Sequence, residues 1–520
     1  MKVLFTIVFN LLVVFSMAQN PTYQWMTSQG GVVTSMCILS NQDVIQVTNE
    51  SGACQLKKVN QMGQVLWTKS FGTESTFTNI ACDQNDNLYL TGVIYGTSGS
   101  CDLDPGNNTI NYTISSNALF VQKLDNEANT IWQRTYENFY FNPSFSSLPN
   151  IAINNNNGNV ALVGGFIGAL NLDPSTSVGS LLNPEFFTDP FIGIFNSTGT
   201  CLASYSEDIG GNAAFTCCQF DTNENLIVGG FKYSNGSTIT IESFDPSLTR
   251  LWTHSGTVTA VAGKVRDLKI TANNEIVYCG VEIDNSVVYR IPNPSTQVIV
   301  NSIPIWKKIY EGINYEIKSI ALDENANIYL GGGVYGGLNV DVSPDGLTND
   351  TIGNYNQIRG LITYLDSLGN YLGKKLFDHN NGPSSLPPYS DINCIVAKGN
   401  SLYAGGEKNN LVDFDSDLID NQSDGFNNDP GFLVKWSIGN NNLSLNQNMN
   451  SKNLLSLFPN PVQNRLFISN EFSGTYEVLD LKGKIISSEL YSPLGINVGI
   501  MTPGIYFLKT QTGLYRFVKE

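Results

Sequence analysis

The sequence predicts an all-β chain: a seven-bladed β-propeller closed by an N-terminal strand and followed by a small C-terminal β-sandwich. Three observations carry that expectation. A two-part motif recurs seven times between residues 32 and 437. Its apolar positions alternate with period two, the spacing of a half-buried strand and not of a helix. Turn formers punctuate each strand, with 48 glycines among abundant Asn, Ser and Thr.

The chain opens with Met1-Lys2, an apolar run from Val3 to Phe15, and small residues at Ser16 and Ala18. This is the pattern of a secretory signal peptide over 1–18. The run is shorter than the about 20 residues a spanning helix needs, and no later run is longer, so no transmembrane segment is predicted. Cysteine does not follow Ala18, which argues against a lipid anchor. Next, Tyr23-Gln24-Trp25-Met26-Thr27-Ser28 matches no part of the first repeat. It matches the ends of other repeats, Leu66-Trp67-Thr68-Lys69-Ser70 and Leu251-Trp252-Thr253-His254-Ser255. The seventh repeat lacks such an end, running from Phe432–Trp436 straight into Ser437-Ile438-Gly439-Asn440. The N-terminus is therefore expected to supply the outer strand of the seventh blade, bury Trp25, and close a propeller spanning 19–440.

The repeats cover roughly 32–70, 80–136, 151–206, 217–255, 267–310, 319–377 and 391–437. The first half-motif is an apolar pair, a turn and an apolar strand ending in glycine, as in Ile80 to Gly92 and Ile320 to Gly332. The second is an alternating strand, a turn, and a strand carrying Trp, as in Phe120 to Trp132. The Trp position decays near Leu202 and Leu372. The glycine-ending strand is expected second in its blade, the Trp strand outermost, with Trp packed between blades. Turns such as Asp83-Gln84-Asn85-Asp86-Asn87 read as side-chain-to-backbone turn chemistry. These half-motifs resemble the bacterial seven-bladed propeller repeats often joined to a secretion tail.

Four inserts, about 93–118, 167–190, 334–360 and 408–431, lengthen the link from second to third strand, which places all four on one face of a propeller. Loops on a rigid scaffold are where binding concentrates, so this face is expected to meet an extracellular ligand. The inserts carry Asp102-Leu103-Asp104-Pro105-Gly106, Leu172-Asp173-Pro174, Asp341-Val342-Ser343-Pro344-Asp345-Gly346 and Asp413-Phe414-Asp415-Ser416-Asp417. Such spaced carboxylates have the composition of a calcium loop, with Asp102, Asp104, Asp341, Asp345, Asp413, Asp415 and Asp417 as ligands. None fits the twelve-residue EF-hand pattern, and the same residues also make plain turns.

No other cofactor is expected, because the motifs of catalysis are missing. Only His254 and His379 are present, too few for a histidine metal site; both read as loop or rim residues. There is no His-Glu-x-x-His, nucleophile elbow or P-loop. Gly331-Gly332-Gly333-Val334-Tyr335-Gly336 fits Gly-x-Gly-x-x-Gly in form, but no helix follows it, so it reads as a strand end. Nine cysteines leave at least one thiol unpaired. Cys82, Cys218 and Cys394 fall at apolar strand positions and read as buried thiols; Cys82–Cys101, within one repeat, is the first disulfide to test.

The formal charge is −17, and residues 454–520 are nearly neutral, so the acidity belongs to the repeats. Such a surface repels phosphate backbones, which excludes nucleic acid as the expected partner. Residues 441–453 are rich in Asn and Ser and read as a linker.

The tail from 454 holds Leu457-Phe458-Pro459-Asn460-Pro461, Arg465 to Ile468, Tyr476 to Lys484 with Gly483-Lys484, Gly504-Ile505-Tyr506-Phe507-Leu508-Lys509 and, at the end, Arg516-Phe517-Val518-Lys519. This series resembles the C-terminal sorting domain of type IX secretion, an outer-membrane export system of Bacteroidota. The resemblance implies passage through the periplasm, recognition of 454–520 by the outer-membrane machinery, and release or attachment at the cell surface. It places the sorting motif on Pro459, Asn460, Pro461, Gly483, Lys484, Gly504, Tyr506 and Lys519. Two functional classes follow for the propeller: a binding or adhesion module for glycan, peptide or protein, or an extracellular glycoside hydrolase or lyase on the same scaffold.

Overall fold

Alternating apolar residues draw the chain into strands that bury one face or, where the apolar run is continuous as in Val160–Phe166, both. The computed structural model describes residues 20–50, 53–96, 98–106, 110–137, 139–140, 148–173, 180–183, 187–233, 236–256, 263–282, 285–294, 303–311, 315–335, 340–344, 350–353, 357–379, 389–409, 412–414, 430–438, 457–458, 461–468, 474–480, 484–492, 495–510 and 513–520. Residues 1–18, expected to be a signal peptide, and 441–453, expected to be a linker, lie outside them. Among the described residues there is no helix. The chain divides into two units, 1–440 and 441–520.

Among the described residues, the first unit has seven four-stranded antiparallel sheets. Their first strands are Val32–Ile38, Ser75–Cys82, Asn150–Ile153, Asn212–Phe220, Lys264–Ile270, Tyr315–Leu322 and Tyr389–Lys398. In sheets 1 to 6 the four strands follow chain order. Sheet 7 takes its fourth strand from the other end of the chain: Thr22–Ser28 pairs antiparallel with Gly431–Ser437, Thr22 opposite Ser437 and Ser28 opposite Phe432. Each first strand touches the first strand of the next sheet, and that of sheet 7 touches that of sheet 1. Between neighbouring sheets lie the apolar clusters, for example Leu90, Phe77 and Phe120 of sheet 2 with Val47 and Leu56 of sheet 1.

The Asp-led turns are built by their side chains. Asp83 Oδ1 accepts the amides of Asn85 and Asn87, each at 2.9 Å, and Asp323 does the same for Asn325 and Asn327. The fourth turn residue is left-handed, at Asp86 (φ 62°) and Ala326 (φ 58°). The turn from third to fourth strand is matched to the Trp of the preceding sheet. A Cβ on Gly63, Gly199 or Gly369 would come within 2.9 Å of the ring of Trp25, Trp132 or Trp306. Glycine at these left-handed positions thus lets the indole lie flat on the backbone. Trp25 Nε1 donates to Gln61 O at 2.8 Å and Trp132 Nε1 to Ser197 O at 2.9 Å, so each fastens one sheet to the next. Trp25 is half-buried, less enclosed than expected and less than Trp132 and Trp252, which also sit on the outermost strands of their sheets.

The nine cysteines are all free thiols, and a Cys82–Cys101 bridge is not formed. The topology explains why. Cys82 pairs with Leu88 at one end of Leu88–Ile94, whereas Cys101 follows the other end of that strand, about 20 Å away at strand rise. Cys82 instead donates to Ile38 O at 3.3 Å and packs with Cys37 of sheet 1.

The second unit has a three-stranded sheet around Arg465–Ile468 and a four-stranded one ordered Ile485–Leu490, Thr475–Leu479, Gly504–Thr510 and Gly513–Lys519. Val462, Leu466, Ile468, Tyr476, Val478, Ile496, Val498, Tyr506, Leu508, Tyr515 and Phe517 form its core.

Candidate functional site

Six of the seven first strands are interrupted by a register shift at equivalent places: Val33/Ser35, Phe77/Asn79, Phe215/Cys217, Val265/Asp267, Ile317/Ser319 and Ile392/Cys394. The extra residues are Thr34, Thr78, Thr216, Arg266, Lys318 and Asn393. A bulge leaves its residue outside the ladder and re-aims the side chain. All six line one cavity of about 460 Å³, with Asn150 of sheet 3 completing the ring. A second cavity, of about 580 Å³, shares these seven residues except Thr216 and runs along the first strand of every sheet. The ring is tied together in one direction. Thr78 Oγ1 donates to Pro149 O at 2.6 Å, Thr216 Oγ1 to Val265 O at 2.7 Å, and Asn393 Nδ2 to Val33 O at 3.2 Å. In each case the acceptor precedes the ring residue of the next sheet.

At sheets 5 and 6 ion pairs replace these hydroxyl and amide ties. Arg266 pairs with Glu316 of sheet 6, and Lys318 Nζ lies 2.6 Å from Asp391 Oδ2 of sheet 7 and 3.3 Å from Asn393 Oδ1. Burial raises the Asp391 carboxyl above its usual range, against the pull of Lys318. Lys264, two residues before the bulge, lines the same cavity. Burial, with the nearby charges of Arg266 and Lys318, lowers it to about 8. The mouth is therefore a concentration of cations in a strongly acidic chain.

The described parts of the inserts pair in short two-stranded sheets. Ser100–Asp102 pairs with Asn111–Thr113, Gly168–Asn171 with Ser180–Asn183, and Val340–Asp341 with Thr351–Ile352. Val412–Asp413 pairs with Asp378–His379 from the preceding connection. Each then plants one apolar residue in the core: Leu103, Leu172, Val342 and Phe414 are at most 2 % exposed. The acidic positions around them shape the turn. Asp102 Oδ1 accepts the amides of Asp104 and Ile110, each at 3.0 Å, Asp104 Oδ1 that of Gly106 at 2.6 Å, and Asp341 Oδ1 that of Ser343 at 2.9 Å. Asn171 makes the same turn in sheet 3, accepting the amide of Asp173 at 3.0 Å. Asp413 is buried. Asp345, Asp415 and Asp417 lie outside the described residues, and among those described no three of His, Cys, Asp or Glu gather as a metal-ligand group. Asp102 and Asp104 share one turn, while Asp341 and Asp413 belong to inserts of other sheets.

His254 is not at a rim. It is 4 % exposed, its Nε2 lying 3.1 Å from the Tyr278 hydroxyl, because the alternation of Arg250–Ser255 points it at sheet 5. Gly331 to Gly333 lie within Ile328–Tyr335, where a Cβ on Gly332 would collide with Glu316 O. The strand-end reading thus becomes a mid-strand one, set by close approach of two backbones. The mouth residues Lys264, Arg266 and Lys318 were not singled out in the sequence; their one trace is the break in alternation at Lys264-Val265-Arg266-Asp267.

In the second unit, Tyr506 is buried and its hydroxyl donates to Thr502 O at 2.8 Å. Gly504 pairs with Lys519, and Lys519 is itself buried and bridged to Val462. Pro461 is exposed, as is Lys484, whose amide donates to Asp480 Oδ1 at 2.9 Å. Pro459, Asn460 and Gly483 lie outside the described residues. Residues 456–520 match the family model of the secretion system C-terminal sorting domain. The match covers the tail alone. It supports type IX export and points to secretion or attachment at the cell surface. No helix among the described residues is long and apolar enough to cross a membrane. No curated protein matches the sequence. Similar solved structures include a virginiamycin B lyase from Staphylococcus aureus, 9 % identical over 79 % of this chain and 98 % of that one, with TM-score 0.42. A Bacteroides caccae protein of unknown function is 11 % identical over 64 % and 92 %, with TM-score 0.33. Porphyromonas gingivalis dipeptidyl peptidase 4 is 11 % identical over 74 % and 65 %, with TM-score 0.33. Likeness at this level carries nothing about activity.

Proposed function

We propose that the chain is a β-propeller of seven blades, 19–440, closed by Thr22–Ser28 and delivered by the type IX machinery through its tail, 454–520. At the cell surface or beyond it, the propeller acts as a binding module whose ligand enters on the insert face. The single observation that carries this reading is the ring of bulged side chains around one cavity, to which the first strand of every sheet contributes. Bulges break regular pairing, and here they place hydroxyl, amide and cationic groups around a common opening. A glycan and polysaccharide array on the mature protein tests it, with a variant carrying Thr78→Trp to fill the mouth. Binding lost in the variant supports the reading, and binding that persists there refutes it.

One observation favours the enzymatic alternative. A lysine held near neutrality beside an arginine is the pairing by which a uronate can lose the proton next to its carboxylate, lysine taking the proton and arginine the charge. Departure of the oxygen substituent from the neighbouring carbon, protonated by water as it leaves, would form the double bond and complete a lyase reaction. Growth of the ultraviolet absorbance of an unsaturated uronate during incubation, absent in Lys264→Met, would establish a lyase in place of a pure binding module.

A further inference from the structure

We propose that Lys264, Arg266 and Lys318 form a recognition site for the oxyanion of an acidic saccharide, a uronate carboxylate or a sulfate ester. This rests on the reading of the insert-face mouth as a binding site and names the chemistry of its ligand. Charge is the first argument. The chain has 28 Lys and Arg against 45 Asp and Glu, yet three of those cations line this one cavity. A cleft lined by one sign of charge focuses its field on a ligand of the other sign. The surrounding acidity repels a dense polyanion, so the site suits a ligand with few charges.

Hydrogen bonding is the second argument. Arg266 Nε is buried with no hydrogen-bond partner, while another nitrogen of the same guanidinium pairs with Glu316. The guanidinium is thus only partly paired, and an oxyanion in the cavity that Arg266 lines would supply a further acceptor with matching charge. The same oxyanion would offset the charge of Lys264, which Arg266 and Lys318 repel although each has a carboxylate partner of its own.

The third argument separates a saccharide from a peptide. An extended peptide binds by adding to a regular strand edge, but the first strands are bulged at the level of this cavity, which interrupts that edge. What the mouth offers instead is a set of short hydroxyl and amide groups, among them Thr34, Thr76, Asn150 and Thr216, which suits a polyhydroxylated ring.

Calorimetry on the mature, full-length protein decides the matter with four probes: an oligogalacturonate, a sulfated galacto-oligosaccharide, a neutral galacto-oligosaccharide of equal length, and an acidic peptide. One of the two acidic saccharides is expected to bind at least tenfold more tightly than the neutral one, and which of them does so identifies the oxyanion. Lys264→Gln and Arg266→Gln should each weaken that binding at least tenfold, and Arg266→Lys should weaken it less. Lys264→Gln keeps a polar side chain at the same place on the strand, so folding should survive, and the melting temperature checks this. Equal binding of neutral and acidic saccharides, lost in Thr78→Trp, would overturn the oxyanion assignment while leaving the mouth as a binding site. Affinity unchanged in both glutamine variants would do the same. Preference for the acidic peptide would overturn the saccharide assignment, and no binding of any probe would overturn the proposal.

Discussion

Replacing Trp25 by alanine tests whether the N-terminal strand locks sheet 7 to sheet 1. The indole is half-buried, donates to Gln61 O at 2.8 Å and lies over Gly63. Half of a Trp surface is about 100 Å², worth about 2.5 kcal/mol, and the hydrogen bond adds about 1 kcal/mol. For a unit of roughly 420 residues the unfolding entropy is about 0.9 kcal/mol per kelvin, so Trp25→Ala should lower the melting temperature by about 3–4 °C. Gly63→Ala sharpens the test. Its left-handed backbone (φ 83°) costs an L residue about 1 kcal/mol, and the new methyl would meet the indole at 2.9 Å, adding about 1–3 kcal/mol. In a Trp25→Ala background only the backbone cost remains, so the two changes should couple by the clash term, about 1–3 kcal/mol. Tryptophan fluorescence is the natural readout, since all six Trp precede residue 437 and none lies in the tail. A Trp25→Ala shift below about 1 °C, or an equal effect of Gly63→Ala in both backgrounds, would refute the interlock.

Other outcomes follow from the same contacts. Removing 454–520 should leave the melting transition reported by tryptophan in place and the protein in the periplasm; normal surface or medium levels of the truncated chain would contradict the export reading. Asp102→Ala strips the acceptor from two amides and should cost about 1–2 kcal/mol, while excess EDTA against millimolar calcium should not move the melting temperature. A calcium-dependent rise would support the cation reading of the inserts. Lys264 is lowered from 10.5 to about 8, so between those pH values the unfolded chain binds more protons and this residue's contribution to stability rises with pH. Lys264→Met should show a smaller gain than wild type from pH 7.5 to 9, and an identical pH profile would count against it. Thiol labelling in denaturant should find nine reactive cysteines without reductant, with few reacting in the native protein.

Strand content and unit spacing were legible because period-two alternation and Asp-led turns are local features. Each repeat read from the sequence falls on one four-stranded sheet, and the strand at Tyr23–Ser28 was legible because Gln24-Trp25-Met26-Thr27 copies the outer strands elsewhere. The site was not legible, and the bulges are the reason. A bulge shifts alternation by one residue, so the sequence reading began the first strands at 80, 217, 267 and 319, just past Thr78, Thr216, Arg266 and Lys318. The residues before each shift looked like connection, although they line the mouth. The insert carboxylates drew attention because Asp and Pro cluster visibly, yet composition does not tell a ligand oxygen from one that accepts two amides, as Asp102 does. Burial of His254 depends on sheet 5 lying against it, which one strand's pattern does not reveal.

The pairing of Thr22–Ser28 with Gly431–Ser437 also sets an order of events. The strand that emerges first has its partner some 400 residues downstream, so the last sheet cannot be completed until almost the whole first unit has been made. Until then both the leading segment and the edge at 431–437 are unpaired, and a second chain in the same state offers the identical complement. Crowded synthesis would therefore favour exchange of the leading segment between two chains, giving a dimer with two intact rings.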